Sequence, residues 1–228
     1  MRALLRNMSS LLRAPVRSVR TLYDRAAPRY EYFRRIWLKL AGEKAERALI
    51  RDLARLMHSG VRVLDAGSGT GALSRQILRL EPSLRLISLD QSLPMLRGAN
   101  ECRASRVQGD VVALPFGDEA FDVVVSDWVL ETVPDRSGAV AEYLRVLAPG
   151  GWVLYTFCSL PRDRRWRSAF LRTAVGWGFA GRFLAEKDTP LPRVEHLTIR
   201  RFHGGLASLV VGRKCEVASG RGIVERVA

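Results

Sequence analysis

Val63-Leu64-Asp65-Ala66-Gly67-Ser68-Gly69-Thr70-Gly71 is the stretch that decides the fold. A short apolar run ends at an acidic residue, opens into a turn with three glycines, and leads into a helical pattern. A strand feeding a glycine turn and then a helix is how α/β proteins build a nucleotide pocket at the carboxyl end of a parallel sheet. Glycine suits such a turn because the backbone bends tightly and a ligand comes close, and a Cβ would obstruct both. Alone, the turn is weak evidence. The dinucleotide fingerprint is G-x-G-x-x-G, the pattern here is Gly67-x-Gly69-x-Gly71, and an ordinary glycine-rich turn would satisfy it.

Working outward, the pattern repeats. Leu84 to Leu89 reads as a second strand ending at Asp90, about 20 residues past the turn, where an acidic residue of such folds meets ribose hydroxyls. Arg103 to Gln108 reads as a third strand, running into Gly109-Asp110. Phe121 to Ser126 is a fourth, running into Asp127-Trp128, and Trp152 to Phe157 a fifth, after Pro149-Gly150-Gly151. Helical patterns fill Ala72–Leu80, Leu93–Cys102 and Ser137–Leu147. Strands alternating with helices predict a parallel sheet with crossovers. Val194 to Phe202 and Leu206 to Val211, joined at His203-Gly204-Gly205, fit an antiparallel hairpin instead.

These segments together resemble a known family. VLDAGSGTG at 63–71, LISLDQSLPML at 86–96, VQGDVVALPFGDEAFDVVVSDWVLETVPD at 107–135 and LAPGGWVLYTF at 147–157 are similar to motifs of the class I S-adenosylmethionine (SAM)-dependent methyltransferases. The likeness is to the type 11 group, which includes ubiquinone and menaquinone C-methyltransferases and bacterial phospholipid N-methyltransferases. It covers about Tyr23 to Lys214, and GGLASLVVGRK at 204–214 resembles the last strand of the quinone-type enzymes. The resemblance implies an α/β fold: a Rossmann-like seven-stranded sheet, mostly parallel with a C-terminal antiparallel hairpin, and helices on both faces.

It also implies roles, with SAM as cofactor. Asp65, Gly67 and Gly69 match positions that hold its methionine part, and Ser68 and Gly71 belong to the same turn. Asp90 matches the ribose-binding residue, with Gln91 beside the adenosine. Met95 is read as packing on the adenine, against the plain alternative of core filling. Asp110 matches the carboxylate that accepts from the adenine amino group, and Val111 donates a backbone N–H there. Ser126 is assigned to the cofactor and Asp127 to catalysis, at the end of strand four. Tyr23 and Tyr30 resemble the aromatic lid over the methionine end, where rings suit a sulfonium through cation–π attraction. The even alternative is a hydrophobic staple of the first helix.

SAM chemistry asks mainly for alignment of the nucleophile behind the activated methyl and for exclusion of water. A base helps only if the nucleophile must lose a proton. Many relatives carry a histidine after strand four; this chain has Val129-Leu130-Glu131-Thr132-Val133. Glu131 is therefore the candidate base, with a helix-start carboxylate facing the macrodipole as the equal alternative. His203, at the hairpin turn, is a further catalytic candidate. His58 is read as a helix C-terminal cap, and His196 lies on the sixth strand. The three histidines show no metal-ligand spacing. Cys102, Cys158 and Cys215 form no C-x-x-C pair and fit ordinary thiols in a reducing compartment.

The 228 residues suffice for one substantial core. The formal net charge of +14 favours an anionic partner. In the N-terminal arm, Leu4, Leu5, Met8, Leu11, Leu12, Val16, Val19 and Leu22 share one helical face, opposite Arg2, Arg6, Arg13, Arg17 and Arg20. Such a helix reads as a membrane-surface element. A mitochondrial transit peptide and a helix docked on the domain are its rivals. Arg162, Arg164, Arg165, Arg167 and Arg172 surround Trp166, Phe170 and Leu171, so residues 162–184 read as a second interfacial segment. No apolar run is long enough to span a membrane.

The sequence thus divides into a basic arm at 1–22, a methyltransferase domain at 23–214 and a tail at 215–228. The expected activity is methyl transfer from SAM to a small lipophilic acceptor, a quinone precursor or a phospholipid headgroup. The expected location is the cytoplasm, with peripheral membrane contact through 1–20 and 162–184. Nucleic-acid methylation through the basic surface is the alternative, disfavoured because no N/D-P-P-Y/F tetrad follows strand four and no RNA-binding module is appended. A non-catalytic SAM-binding partner protein is the third reading.

Overall fold

The computed structural model describes residues 19–99, 103–159, 183–184 and 194–216. A nearly continuous helical run opens it: α1 (Val19–Ala26), a 3-10 turn at Ala27–Arg29, α2 (Tyr30–Trp37), a π turn at Leu38–Gly42, and α3 (Glu43–Ala54). Pro28 lacks the N–H that a continuous α-helix would use, and the run tightens there. Val19 to Leu22, the end of the expected arm, are continuous with Tyr23 in α1, and Leu22 is buried.

Five strands and three helices then alternate: β1 (Arg62–Ala66), α4 (Ala72–Leu80), β2 (Arg85–Asp90), α5 (Leu93–Gly98), β3 (Ser105–Gln108), β4 (Phe121–Asp127), α6 (Arg136–Val146) and β5 (Leu147–Cys158). β6 (Val194–Phe202) and β7 (Ala207–Lys214) close the chain's sheet, whose seven strands lie in the order β3-β2-β1-β4-β5-β7-β6. β1 to β5 pair in parallel, and β7 runs antiparallel to both β5 and β6. The expected sheet is the observed one. β1 sits between β2 and β4, so the strand order reverses beside it, and the crevice at that reversal is where open α/β sheets bind ligands.

Side chains alternate across the sheet, as the two-residue period of a strand demands. Leu64, Val124, Val153 and Tyr155 point to one face, where α6 supplies Val140, Tyr143 and Val146. Val63, Val123, Val125 and Leu154 point to the other, against Leu49 and Leu53 of α3 and Leu73 and Ile77 of α4. All but a few of these are fully buried, each worth about 1.5–3 kcal/mol relative to exposure.

Three sequence expectations change. β5 begins at Leu147 rather than Trp152: Phe121 pairs with Leu147 and Val123 with Trp152, so Ala148 to Gly151 bulge out of a strand that continues. α5 is shorter than 93–102; it ends at Gly98, and residues 100–102 lie outside the described ones. His58 caps no helix, because α3 ends at Ala54 and Arg55 holds the cap position. Of the thiols, Cys158 is buried and free and Cys215 is free, while Cys102 lies outside the described residues. Among the described residues no helix is long and apolar enough to cross a membrane.

Candidate active site

The glycine turn closes the carboxyl end of β1 through a compact set of backbone bonds. Gly67 and Ser68 both donate their N–H to the Leu89 carbonyl, at 2.7 and 2.8 Å. Gly67 has φ +81°, and a Cβ there would stand 2.4 Å from Val129 Cγ2. Glycine is therefore required twice, by backbone and by space. Gly71, at φ 74°, is the left-handed residue from which α4 starts. Gly69 donates its N–H to Asp90 Oδ2 at 2.8 Å, and Ser92 donates its N–H to Asp90 Oδ1 at 2.8 Å. The carboxylate that ends β2 thus locks the turn that follows β1. Burial still raises the Asp90 pKa, against the lowering effect of these two donors.

In front of the turn lies a cavity of about 410 Å³. That is within the range of small-molecule sites. Its walls include Gly67, Gly69, Asp90, Gln91 and Met95 on one side, Gly109, Asp110, Val111 and Val112 after β3, and Asp127 to Val129 with Thr132 to Asp135 after β4. The roof is α1 and α2, which contribute Tyr23 and Tyr30 in an edge-on pair 6.1 Å apart. Polar ties hold the roof down. Ser92 Oγ donates to Asp24 at 2.6 Å, Thr70 donates to Glu31, and Arg34 meets Glu46 at 2.6 Å. Trp37 packs edge-on against Trp128, with ring centroids 5.2 Å apart.

Three further carboxyls around the site have raised pKa values, burial being the first cause of each. Asp65 is pushed up to about 7 in spite of the Ser74 hydroxyl, which donates to it at 2.5 Å. Glu131 is pushed up to about 7, although the Cys158 thiol donates to its Oε1 at 3.3 Å. Asp127 is raised well above the carboxylate range by burial and by nearby Glu46, against Arg34 and a 2.5 Å bond from Thr156. Buried Ser68 Oγ, Trp128 Nε1 and Glu131 Oε2 have no partner among the described residues. A buried polar atom left so needs an explanation; of these three residues Trp128 lines the cavity, where a ligand can supply one.

The structure brings most of the sequence candidates together. Gly67, Gly69, Asp90, Gln91, Met95, Asp110, Val111, Asp127, Tyr23 and Tyr30 share the cavity wall and could hold a nucleoside-bearing cofactor. Asp65 lies beneath the turn, bonded to Ser74, which also contacts Ser88 at 2.7 Å. Ser126 is off the wall: its hydroxyl donates to the Ala66 carbonyl at 2.9 Å and meets Tyr143 at 3.0 Å, inside the core. Glu131 is buried and does not start a helix, since α6 begins at Arg136 under the Asp135 side chain; the macrodipole alternative therefore fails. His203 stands apart, largely exposed, with its pKa lowered by partial desolvation and by Lys44. No cavity residue neighbours it in those interactions, so it is left out of the site.

Trp128, Thr132, Pro134 and Asp135 are wall residues that sequence reasoning passed over. A signal existed in the unusual Asp127-Trp128 end of β4. Trp128 adopts φ 58°, a left-handed backbone uncommon for a bulky residue, which turns its ring toward Trp37. The interfacial segments expected at 1–20 and 162–184 fall almost wholly outside the described residues.

Residues 64–155 match the family described as Methyltransferase domain. The chain is 30% identical over 205 residues to the ubiquinone/menaquinone biosynthesis C-methyltransferase UbiE of Geobacter sulfurreducens, covering 84% of this chain and 79% of that protein. It is 37% identical over 170 residues to the demethylmenaquinone methyltransferase of Thermobifida fusca, covering 71% and 68%. In other relatives of these kinds the matched region spans 61% to 65% of the relative's own length, just under two thirds. Among solved structures, a SAM-dependent methyltransferase from Thermotoga maritima superposes with a TM-score of 0.64 at 17% identity, covering 86% of this chain and 99% of that one.

Proposed function

The chain belongs to the class I SAM-dependent methyltransferases of the type 11 group, and on that premise we propose that it methylates a lipophilic quinone precursor. The observation that carries the reading is one cavity in which the glycine turn and Asp90 face an aromatic roof and a carboxyl, Asp127. The named activity of the relatives supports the choice of acceptor.

The residues present fit the cofactor. Gly67 and Gly69 present bare backbone on the cavity wall, where a ligand can approach closely, and wall residue Trp128 has a buried Nε1 without a partner among the described residues. Asp90 would meet the ribose hydroxyls, Asp110 and Val111 the adenine, and the Tyr23 and Tyr30 rings the sulfonium end. Bound SAM supplies a methyl on a sulfonium sulfur, open to direct displacement by the acceptor.

The protein's part is alignment and shelter. Tyr23 and Tyr30 keep water from the wall they cover, and positioning lowers the barrier without a strong base. The carboxyls on the wall after β4 are Asp127 and Asp135; Asp135 caps α6, so the proton the acceptor loses is assigned to Asp127, whose ionised form Arg34 favours. Glu131, with one carboxyl oxygen unpartnered among the described residues, is the second proton site.

The test is transfer of labelled methyl from SAM to a reduced demethylated quinone with a short prenyl tail, run beside phosphatidylethanolamine in vesicles. Label in the quinone ring supports the reading, and label in the amine headgroup overturns the acceptor. Binding of S-adenosylhomocysteine without transfer to either would favour the non-catalytic alternative.

A further inference from the structure

Between Val19 and Gly42 the exposed residues are Arg20, Arg25, Pro28, Arg29, Tyr32, Arg35, Lys39 and Leu40. None is acidic. The two acids of this stretch are bonded to the domain, Asp24 to Ser92 and Glu31 to Thr70, with their side chains 34% and 38% exposed. With both acids bonded to the domain, every charged residue in the exposed set is a cation. Arg25, Arg29, Arg35 and Lys39 have no ion-pair partner among the described residues. Between them stand two large apolar side chains, Tyr32 and Leu40, each 51% exposed.

The spacing makes this a face. At about 100° per residue, Arg25, Arg29, Tyr32, Arg35, Lys39 and Leu40 span an arc of roughly 140°. Tyr23, Tyr30, Arg34 and Trp37, which point to the cavity and the domain, lie on the opposite side of the same helical run. The roof of the site therefore has an inner face that closes the cavity and an outer face of cations interleaved with exposed apolar groups.

We propose that this outer face docks on an anionic phospholipid surface. Cations near such a surface are attracted by its negative potential. Tyrosine and leucine add what a nucleic-acid surface would not need: an amphipathic ring for the headgroup level and an aliphatic chain for the acyl boundary. The docked roof lies between membrane and cavity, so a lipid-soluble acceptor reaches the site without crossing bulk water. That consequence rests on the acceptor reading above; the docking itself rests only on the face.

The test uses the full chain and sedimentation with vesicles of phosphatidylcholine alone or mixed with phosphatidylglycerol. Wild-type protein is expected on the anionic vesicles only, with affinity falling as salt rises. The triple variant Arg29→Glu, Arg35→Glu, Lys39→Glu should bind them roughly a hundredfold or more weakly, at about 1 kcal/mol per lost cation. The double variant Tyr32→Ser, Leu40→Ser should also bind less, with its salt dependence unchanged. Both variants should bind S-adenosylhomocysteine as the wild type does, since no substituted residue lines the cavity. Wild-type affinity in the triple variant overturns the proposal. So does loss of cofactor binding along with vesicle binding, because the face is then not separable from the fold. Binding to transfer RNA but not to vesicles, abolished in the triple variant, would assign the face to nucleic acid and also overturn it. Failure of quinone methylation with intact vesicle binding would sink the acceptor reading and leave this one standing.

Discussion

Replacing Glu131 by glutamine tests how far burial controls the site. The side chain is 4% exposed, and its pKa is pushed from 4.5 to about 7. Glutamine has the shape of the protonated acid and cannot ionise. In the unfolded chain the carboxyl loses its proton near the ordinary value; in the folded protein it keeps it until about pH 7. Across that window the native state binds more protons than the unfolded state, so stability falls as pH rises, by about 1.4 kcal/mol per pH unit. Above the window the loss levels off. The wild type therefore carries a destabilisation at pH 8.5 that is mostly absent at pH 5, on the order of 3 kcal/mol. The variant lacks it. Any constant offset from the amide is the same at both pH values, and the pH dependence of Asp65 and Asp127 cancels in the comparison. The assay is urea unfolding of both proteins, followed by tryptophan fluorescence at pH 5 and 8.5. Relative to wild type, Glu131→Gln should gain on the order of 3 kcal/mol between the two, or ~6–12 °C in Tm. A difference that does not change with pH, or that shrinks toward pH 8.5, would refute the burial argument.

Three further outcomes follow from named contacts. Asp90→Ala removes the acceptor of both the Gly69 and Ser92 N–H groups, so calorimetric affinity for S-adenosylhomocysteine should fall roughly ten- to a hundredfold. Gly67→Ala places a Cβ 2.4 Å from Val129 at a φ of +81°; thermal unfolding should show a loss of about 2–3 kcal/mol, and an unchanged Tm would contradict the geometry. Arg34→Ala leaves Glu46, whose side chain is 10% exposed, without its 2.6 Å cationic partner and with only the neutral Gln76 amide at 3.0 Å, and should cost about 3 kcal/mol by denaturant unfolding. Its Asp127 pKa should also rise further, because Arg34 is the cation that lowers it.

The central frame was legible because it is written locally. Val63 to Gly71 carries a strand, a turn and a helix start in consecutive residues, and α4 occupies the stretch 72–80 that its apolar spacing predicts. Asp90 was legible for the same reason: a carboxylate at a strand end, at a fixed distance from a glycine turn, meets that turn whenever the two strands pair in parallel. β5 was half legible. Its apolar run was plain, but Pro149-Gly150-Gly151 reads as a stop, and only pairing with β4 shows that the strand continues through a bulge.

The sequence by itself determined the order of strands and helices, the glycine turn, and the acids that face it, because period and turn chemistry act between near neighbours. Only the tertiary structure decided which candidates share a cavity. It seats α1 over the pocket through Asp24 and Ser92, which are 68 residues apart, and it sends Ser126 into the core and His203 away from the site. It also set the protonation of Asp65, Asp127 and Glu131. A carboxyl's proton affinity depends on how much water and charge surround it, and these surroundings are assembled from β1, β4, β5 and α2 together, so no single stretch of the chain contains them.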